Sequence, residues 1–204
     1  FLWACEQAFT CAQPGNVSVA SAGHGMHAGL FLASAQAACE KPARRGASVG
    51  ARIEAAIANT RAVAGCNTNR GIVLLCAPLA AAFEADPPPA SLPDFEASVQ
   101  AVLRALSVDD ACGAYRAIAL ANPGGLGKTE SQSVGTTPTI NLRAAMTLAA
   151  DRDSIARQYT EDFGDVLGFG VAAFRAAHER RAASPTALAD AVLLGDFHAV
   201  EEHL

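Results

Sequence analysis

From Ile72 to Phe83 the chain carries no charged side chain and no polar one beyond the thiol of Cys76. A helix over this stretch has no face to offer water, so it belongs in the middle of the fold with other elements packed around it. The rest of the chain repeats the helical period. Leu2 to Thr10 reads as a helix stopped by Pro14-Gly15, and Leu30 to Ala38 and Ile53 to Ala64 follow the same pattern. Pro87-Pro88-Pro89 makes a hard break, followed by an amphipathic stretch from Phe95 to Leu106. Asp109 or Asp110 is placed to cap a helix reaching Leu120. A loop spans Asn122 to Pro138, and a long helical region runs from Leu142 to about His178. No run alternates with period two among β-branched residues, which leaves little or no sheet. The expected fold is all-α, a single compact multi-helix domain with its functional site built from loops.

Composition narrows the function classes. At 204 residues and 51% hydrophobic, the chain is long enough for one well-filled core and short for two. Aromatic residues are only 6% and Ala is abundant, so helices should pack on helices through small side chains at close crossings. A net charge of −5 argues against a nucleic-acid or anionic-membrane surface, and no apolar run has membrane-spanning length. There is no signal-peptide pattern. The sequence begins at Phe1 without Met, and both termini read as incomplete. Cys5, Cys11, Cys39, Cys66, Cys76 and Cys112 show no paired C-x-x-C spacing and read as reduced cysteines, which gives a cytoplasmic expectation. His24 and His27 share an H-x-x-H spacing without a matching Cys or carboxylate, too little for zinc.

Three polar loops interrupt this helical chain. Gly65-Cys66-Asn67-Thr68-Asn69-Arg70-Gly71 runs straight into the apolar block. A Gly at each end lets backbone approach a ligand, Asn67, Thr68 and Asn69 supply donors and acceptors, and Arg70 offers a fork suited to phosphate. The competing reading is a plain helix N-cap, with Thr68 or Asn69 as the capping residue. The second loop is Asn122-Pro123-Gly124-Gly125-Leu126-Gly127-Lys128-Thr129-Glu130. Gly127-Lys128-Thr129 matches the end of a P-loop, but Asn122 stands where its first Gly belongs, and the preceding segment reads as helix instead of strand. What remains is an amide-rich loop able to wrap phosphates, or an ordinary surface turn. The third loop holds Pro14-Gly15-Asn16-Val17-Ser18 and then Ser21-Ala22-Gly23-His24-Gly25-Met26, where small residues and hydroxyls surround a His that is either structural or functional.

A fourth polar piece lies on the long helical region, Asp151-Arg152-Asp153-Ser154-Ile155-Ala156-Arg157. Asp153 and Arg157 stand at i,i+4 spacing, which suits a solvated ion pair. The sharper reading turns a carboxylate inward as a magnesium ligand or catalytic group.

In this order the four pieces resemble the triphosphoribosyl-dephospho-CoA synthases that mature citrate lyase and malonate decarboxylase. The likeness runs from roughly Cys5 to Ala173. It rests on Pro14-Gly15, Ser21, His24 and Met26, on Gly65, Asn67, Thr68, Arg70 and Gly71, on Pro123, Gly124 and Gly127 with Glu130 as a shifted carboxylate, and on Asp151 and Arg157. The G-x-N-T-x-[KR]-G element is its most specific part. Gln13, Gly25 and Asn69 stand where the family has Lys, Asp and His, and Gly-Lys-Thr-Glu replaces a tight G-E. Pro138 to Asp165, with the Asn122–Gly127 loop, looks closer to a subgroup found with tetrahydromethanopterin-dependent C1 metabolism.

The resemblance implies an all-helical enzyme transferring the triphosphoribosyl group of ATP to a hydroxyl of a coenzyme precursor, dephospho-CoA-like or a pterin-linked sugar, with release of adenine. It implies ATP as substrate and Mg2+ for the triphosphate. The phosphates would lie on Arg70, Gly71, Lys128, Arg157 and the amides of Gly124, Gly125 and Gly127, with Asn16, Ser18, Ser21, Asn67 and Thr68 binding the rest of the nucleotide. Glu130 or Asp151 would be the base, His24 the acid, and Asp151 with Asp153 the metal ligands. Small-molecule partners and no nucleic acid or membrane follow, with a homodimer left open. Two other classes stand beside it: a non-catalytic nucleotide- or coenzyme-binding homologue, and a phosphotransfer enzyme using the Gly-Lys-Thr loop.

Overall fold

The computed structural model of the chain describes residues 1–10, 28–66, 68–121 and 136–181. Among the described residues all regular structure is helical: α1 (Leu2–Thr10), α2 (Ala28–Ala38), α3 (Val49–Ala64), α4 (Arg70–Ala82), α5 (Leu92–Ala105), α6 (Val108–Ala121), α7 (Leu142–Thr147), α8 (Ser154–Thr160), a π-helical turn (Asp165–Gly170) and α9 (Val171–Arg181). None of these helices is long and apolar enough to cross a membrane.

Helix α3 packs against α2, α4 and α6, while α4 also meets α5 and α8. As its composition demands, α4 has no exposed residue along Arg70–Ala82, and Val73, Leu74, Ala77 and Pro78 lie fully inside. The stripe Ile53, Ala56, Ile57 and Thr60 of α3 faces the same core at i, i+3, i+4 and i+7.

Helices α3 and α6 approach each other closely, and the approach depends on missing side chains. A Cβ on Gly50 would stand 2.5 Å from the Cα of Asp110, and one on Gly113 would stand 2.7 Å from the carbonyl oxygen of Gly50. The contacts climb both helices together, with Gly50 against Gly113 and Glu54 held by Arg116 through two bonds of 2.6 and 2.7 Å. The two helices therefore run in the same direction. The turn after α3 and the chain leaving α6 at Ala121 emerge at the same end of the pair.

Asp110 does not cap α6, and neither does Asp109. Ser107 does: its Oγ accepts from the Asp110 N–H at 3.1 Å, while Asp110 Oδ2 reaches back to the Ser107 N–H at 2.9 Å. This is a capping box, in which a third-position carboxylate and the cap satisfy each other. The other oxygen of Asp110 accepts from the Gly50 N–H at 2.7 Å and so ties the start of α3 to α6. Burial pushes the Asp110 carboxyl up, but the Gly50 and Ser107 donors together hold it below its ordinary value.

The long helical region after Leu142 is broken where one helix was expected. Asp153 Oδ1 accepts from the N–H groups of Ile155 and Ala156 at 2.9 and 3.0 Å, which starts α8 afresh. Asp162 and Phe163 then take left-handed backbone, φ 54 and 62, and end it. Two such residues cost about 1–2 kcal/mol each. Phe163 is fully buried against Tyr159, and Arg143 holds Asp162 at 2.7 Å and the Thr160 carbonyl at 3.0 Å, which offsets that cost.

Candidate functional site at the start of helix α4

Gly65 ends α3 in left-handed backbone at φ 67, with its N–H on the Arg61 carbonyl at 2.9 Å. Nothing lies within 4 Å of the place its Cβ would occupy, so conformation alone calls for glycine here. The polar turn that follows leads directly into α4. The first-turn N–H groups of a helix have no partner inside it and attract anions.

Neither of the two residues suited to cap α4 does so. Asn69 stands at the N-cap position with φ −136 and ψ 20 and makes no side-chain bond to the helix. Its Oδ1 is drawn away by the Thr60 hydroxyl of α3, which donates to it at 2.9 Å. Thr68 is held by Ser34 of α2, with the two hydroxyls 2.7 Å apart. The Ser34 proton is engaged by the Phe31 carbonyl at 2.9 Å, so Thr68 is the donor of the pair. The plain N-cap reading of the turn therefore fails, for a physical reason: two neighbouring helices hold the would-be caps.

Asn69 is 4% exposed and its Nδ2 finds no oxygen acceptor among the described residues. It lies beside the thiol of Cys5 on α1. Burial, with Cys76 adding to it, pushes that thiol up to about 12, while a hydrogen bond from the Asn69 amide lowers it. Cys5 is thus a neutral thiol at ordinary pH and a weak acceptor beside that amide.

Arg70 opens α4, half-buried. Burial lowers its guanidinium from the ordinary value, and the charge of Asp153 opposes that. The two polar pieces expected separately in the sequence thus meet: the turn before α4 faces the turn before α8. Gly71 marks the contact, since a Cβ there would come within 2.8 Å of Ile155 Cδ1. Asp153 is the N-cap of α8 and does not pair with Arg157, which is exposed on that helix. Asp151 is exposed in the turn between α7 and α8, off any helix.

Among the expected site residues, then, Thr68, Arg70, Gly71 and Asp153 are gathered at one place, with Asp151 two residues from it along the chain. Asn16, Ser18, Ser21, His24, Asn67, Gly124, Gly125, Gly127, Lys128 and Glu130 lie outside the described residues. The sequence marks Asn69 as a donor and acceptor of the loop, but sequence reasoning did not select Ser34 or Thr60. One signal was present, the hydroxyl of Thr60 on an otherwise apolar stripe of α3.

No three His, Cys, Asp or Glu side chains come together as a metal cage among the described residues. Mg2+ bound with a triphosphate does not need one, because it takes one or two carboxylates and keeps the phosphates and water as its other ligands. Asp151, exposed, and the second oxygen of Asp153 fit that smaller demand. A separate cavity of about 320 Å³ lies along α6 between Cys112, Tyr115, Arg116 and the segment Thr136–Pro138. The cation lining it, Arg116, is already engaged by Glu54.

No curated protein and no solved structure matches the chain. A family does, over residues 1–194, and its description is CitG, ATP:dephospho-CoA triphosphoribosyl transferase. With nearly the whole length matched, the chain belongs to the ATP:dephospho-CoA triphosphoribosyl transferase family, a family of transferase enzymes that use ATP in making a coenzyme.

Proposed function

We propose that the start of α4 is the triphosphate-binding part of the active site, and that the enzyme moves the triphosphoribosyl group of ATP to a hydroxyl of a dephospho-CoA-type acceptor. The observation that carries this reading is the uncapped N-terminus of α4, whose two natural caps are held elsewhere while Arg70 stands beside it. The first-turn N–H groups, the helix dipole and a forked cation together suit a polyanion.

The acceptor oxygen forms a bond to C1′ of the ATP ribose as the bond from C1′ to the adenine nitrogen breaks. The hydroxyl proton passes to a base, and adenine leaves with a proton supplied to its ring. The triphosphate stays on the transferred sugar. Displacement at an anomeric carbon develops positive charge on the ring, which a nearby carboxylate stabilises. Glu130 or Asp151 is the proposed base and His24 the proposed acid. Lys128, Arg157 and the amides of Gly124, Gly125 and Gly127 would join Arg70 and Gly71 on the phosphates. Asn16, Ser18, Ser21, Asn67 and Thr68 would hold the nucleoside. The parallel course of α3 and α6 supports this grouping, because α6 ends at Ala121 on the side of the pair where the α3–α4 turn lies. Asp151 and Asp153 would hold Mg2+, which neutralises triphosphate charge when bound. A pterin-linked sugar is the second acceptor to consider, on the likeness of Pro138 to Asp165 to the tetrahydromethanopterin-associated subgroup.

The test is incubation with ATP and Mg2+, with and without dephospho-CoA or a dephosphorylated pterin precursor, reading free adenine by chromatography. Adenine that appears only with an acceptor supports the transfer and identifies the acceptor. ADP in its place would overturn it in favour of phosphotransfer, and ATP binding without turnover on either acceptor would favour a binding homologue.

A further inference from the structure

The hydroxyl of Thr68 belongs to a chain of hydrogen bonds whose direction is fixed. The chain ends at a group that can only accept, the backbone carbonyl of Phe31 on α2. Ser34 Oγ donates to that carbonyl at 2.9 Å and lies 2.7 Å from Thr68 Oγ1. A serine has one hydroxyl proton, and here the carbonyl takes it, so the Thr68 proton goes to Ser34. Ser34 is 0% exposed, and water does not compete for its lone pairs. Thr68 itself is only half-buried, in the turn that faces the start of α8. With its proton committed inward, what the Thr68 oxygen has left to offer is lone pairs. A group bonded there must bring its own proton or a positive charge. An ionised phosphate oxygen, which brings only lone pairs, is repelled.

We infer that Ser34 is a positioning residue that makes Thr68 an acceptor-only contact, and that the group Thr68 receives is a hydroxyl of the ATP ribose. The inference rests on the nucleotide reading of the turn before α4. ATP bound with Mg2+ near neutral pH carries donors at two places, its ribose hydroxyls and the amino group of its adenine, while its phosphate oxygens accept. Arg70, two residues after Thr68, is the residue proposed for the triphosphate. The sugar is the unit of ATP joined directly to that triphosphate, and the amino group stands at the far end of the nucleotide. The ribose hydroxyls are therefore the donors that suit a residue so close to Arg70. Ser34 touches no substrate, since it acts through Thr68. Without the Ser34 hydroxyl the Thr68 proton is released and its oxygen can turn to donate. The site then loses its means of telling a ribose from a sugar that lacks the hydroxyl.

The experiment is titration calorimetry of the whole chain with Mg2+ and, in turn, ATP, 2′-deoxy-ATP, 3′-deoxy-ATP and inosine triphosphate, without acceptor and alongside thermal melting. The parent should bind ATP about three- to tenfold tighter than one of the two deoxynucleotides, the effect of one neutral hydrogen bond. Inosine triphosphate, with a carbonyl in place of the amino group, should bind as ATP does. Thr68→Val, of nearly the same shape, should weaken ATP to the level of that deoxynucleotide and leave the deoxynucleotide unchanged. Ser34→Ala should bring the same ratio down toward one. A merely structural loss weakens all four nucleotides alike and leaves their ratios standing, so the ratio separates positioning from stability. Should Ser34→Ala fail to fold, Ser34→Cys serves instead, because a thiol is a poor acceptor and the same fall in the ratio is expected. If the parent binds no ATP, the nucleotide reading of the turn is overturned and this inference with it. If the parent binds ATP and both deoxynucleotides equally, or keeps its preference in Thr68→Val, the inference alone is wrong. A preference for ATP over inosine triphosphate that Thr68→Val removes would overturn the ribose assignment in favour of the amino group. An unchanged ratio in Ser34→Ala and Ser34→Cys would make Ser34 merely structural.

Discussion

Tyr159→Phe removes a single oxygen from the core, and the structure says what depends on it. Inside α4, Pro78 has no N–H, so the carbonyl of Leu74 four residues earlier lacks its helical partner. The Tyr159 hydroxyl donates to that carbonyl at 2.6 Å from α8. Tyr159 is fully buried, and burial pushes its hydroxyl well above the ordinary value, so it stays a donor at all working pH. Phe would fill the same space but leave a buried carbonyl unpaired, at about 1–3 kcal/mol. For a chain of this length each kcal/mol lowers Tm by about 2–4 °C. Urea denaturation should show the midpoint falling with little change in slope. The mechanism is tested more sharply by repeating the change in a Pro78→Ala background, where the substituted residue supplies the missing N–H. There Tyr159→Phe should cost clearly less, with a coupling of about 1 kcal/mol or more. An equal cost in the two backgrounds would refute the reasoning, since the Leu74 carbonyl would then not be what Tyr159 serves.

Gly50→Ala should be among the more damaging small changes, about 1–3 kcal/mol or above in urea denaturation, because its Cβ meets the backbone of Asp110 at 2.5 Å, which does not yield. Gly71→Ala should cost markedly less, since only the end of the Ile155 side chain stands in the way; an equal cost would count against the close-crossing account. Asp110 adds a pH dependence of known sign. Its folded carboxyl lies below the ordinary 3.8, so its contribution is complete above that value and lost as pH falls through the lower folded one. Asp110→Asn should therefore be less stable than the parent near neutrality, with the gap in urea midpoint narrowing below about pH 4. A gap that stays constant from neutrality to about pH 3 would show that the ionised carboxylate is not the stabilising species.

Helix type and placement were legible in the sequence because periodicity reports burial directly. The apolar run behind Arg70 announced a central helix, and the absence of alternation announced the lack of strands among the described residues. Boundaries and joints were less legible. Ser107 and Asp110 exchange roles in a capping box, so either Asp looked like a cap in isolation. The Leu142–His178 region reads as one helix by composition, because Asp153 can pair with Arg157 on a helix as readily as it can start a new one. Phe163 in left-handed backbone has no local signature at all; what holds it there is its burial and the grip of Arg143, both tertiary. The site divides in the same way. Thr68 and Arg70 stand out as residue types, but the helix faces that hold Thr68 and Asn69 lie 34 and 9 residues away along the chain.

Helix α4 thus has its hydrogen bonding rearranged at two points, and both rearrangements come from outside the helix. At Leu74 a carbonyl freed by Pro78 is taken up by α8, which fixes α8 against α4. At the N-terminus Thr68 and Asn69 are held by α2 and α3, and the turn they belong to faces the turn where α8 begins. The first contact serves the second: Asp153 opens α8 and acts on Arg70, so the distance between those two charges depends on how α8 is held further along, at Tyr159. A helix with ordinary caps and no proline would be more stable by itself, yet it would offer no spare carbonyl to anchor the helix that Asp153 opens. The local propensities of this segment conflict with simple helix formation at these two places, and they agree with it in between.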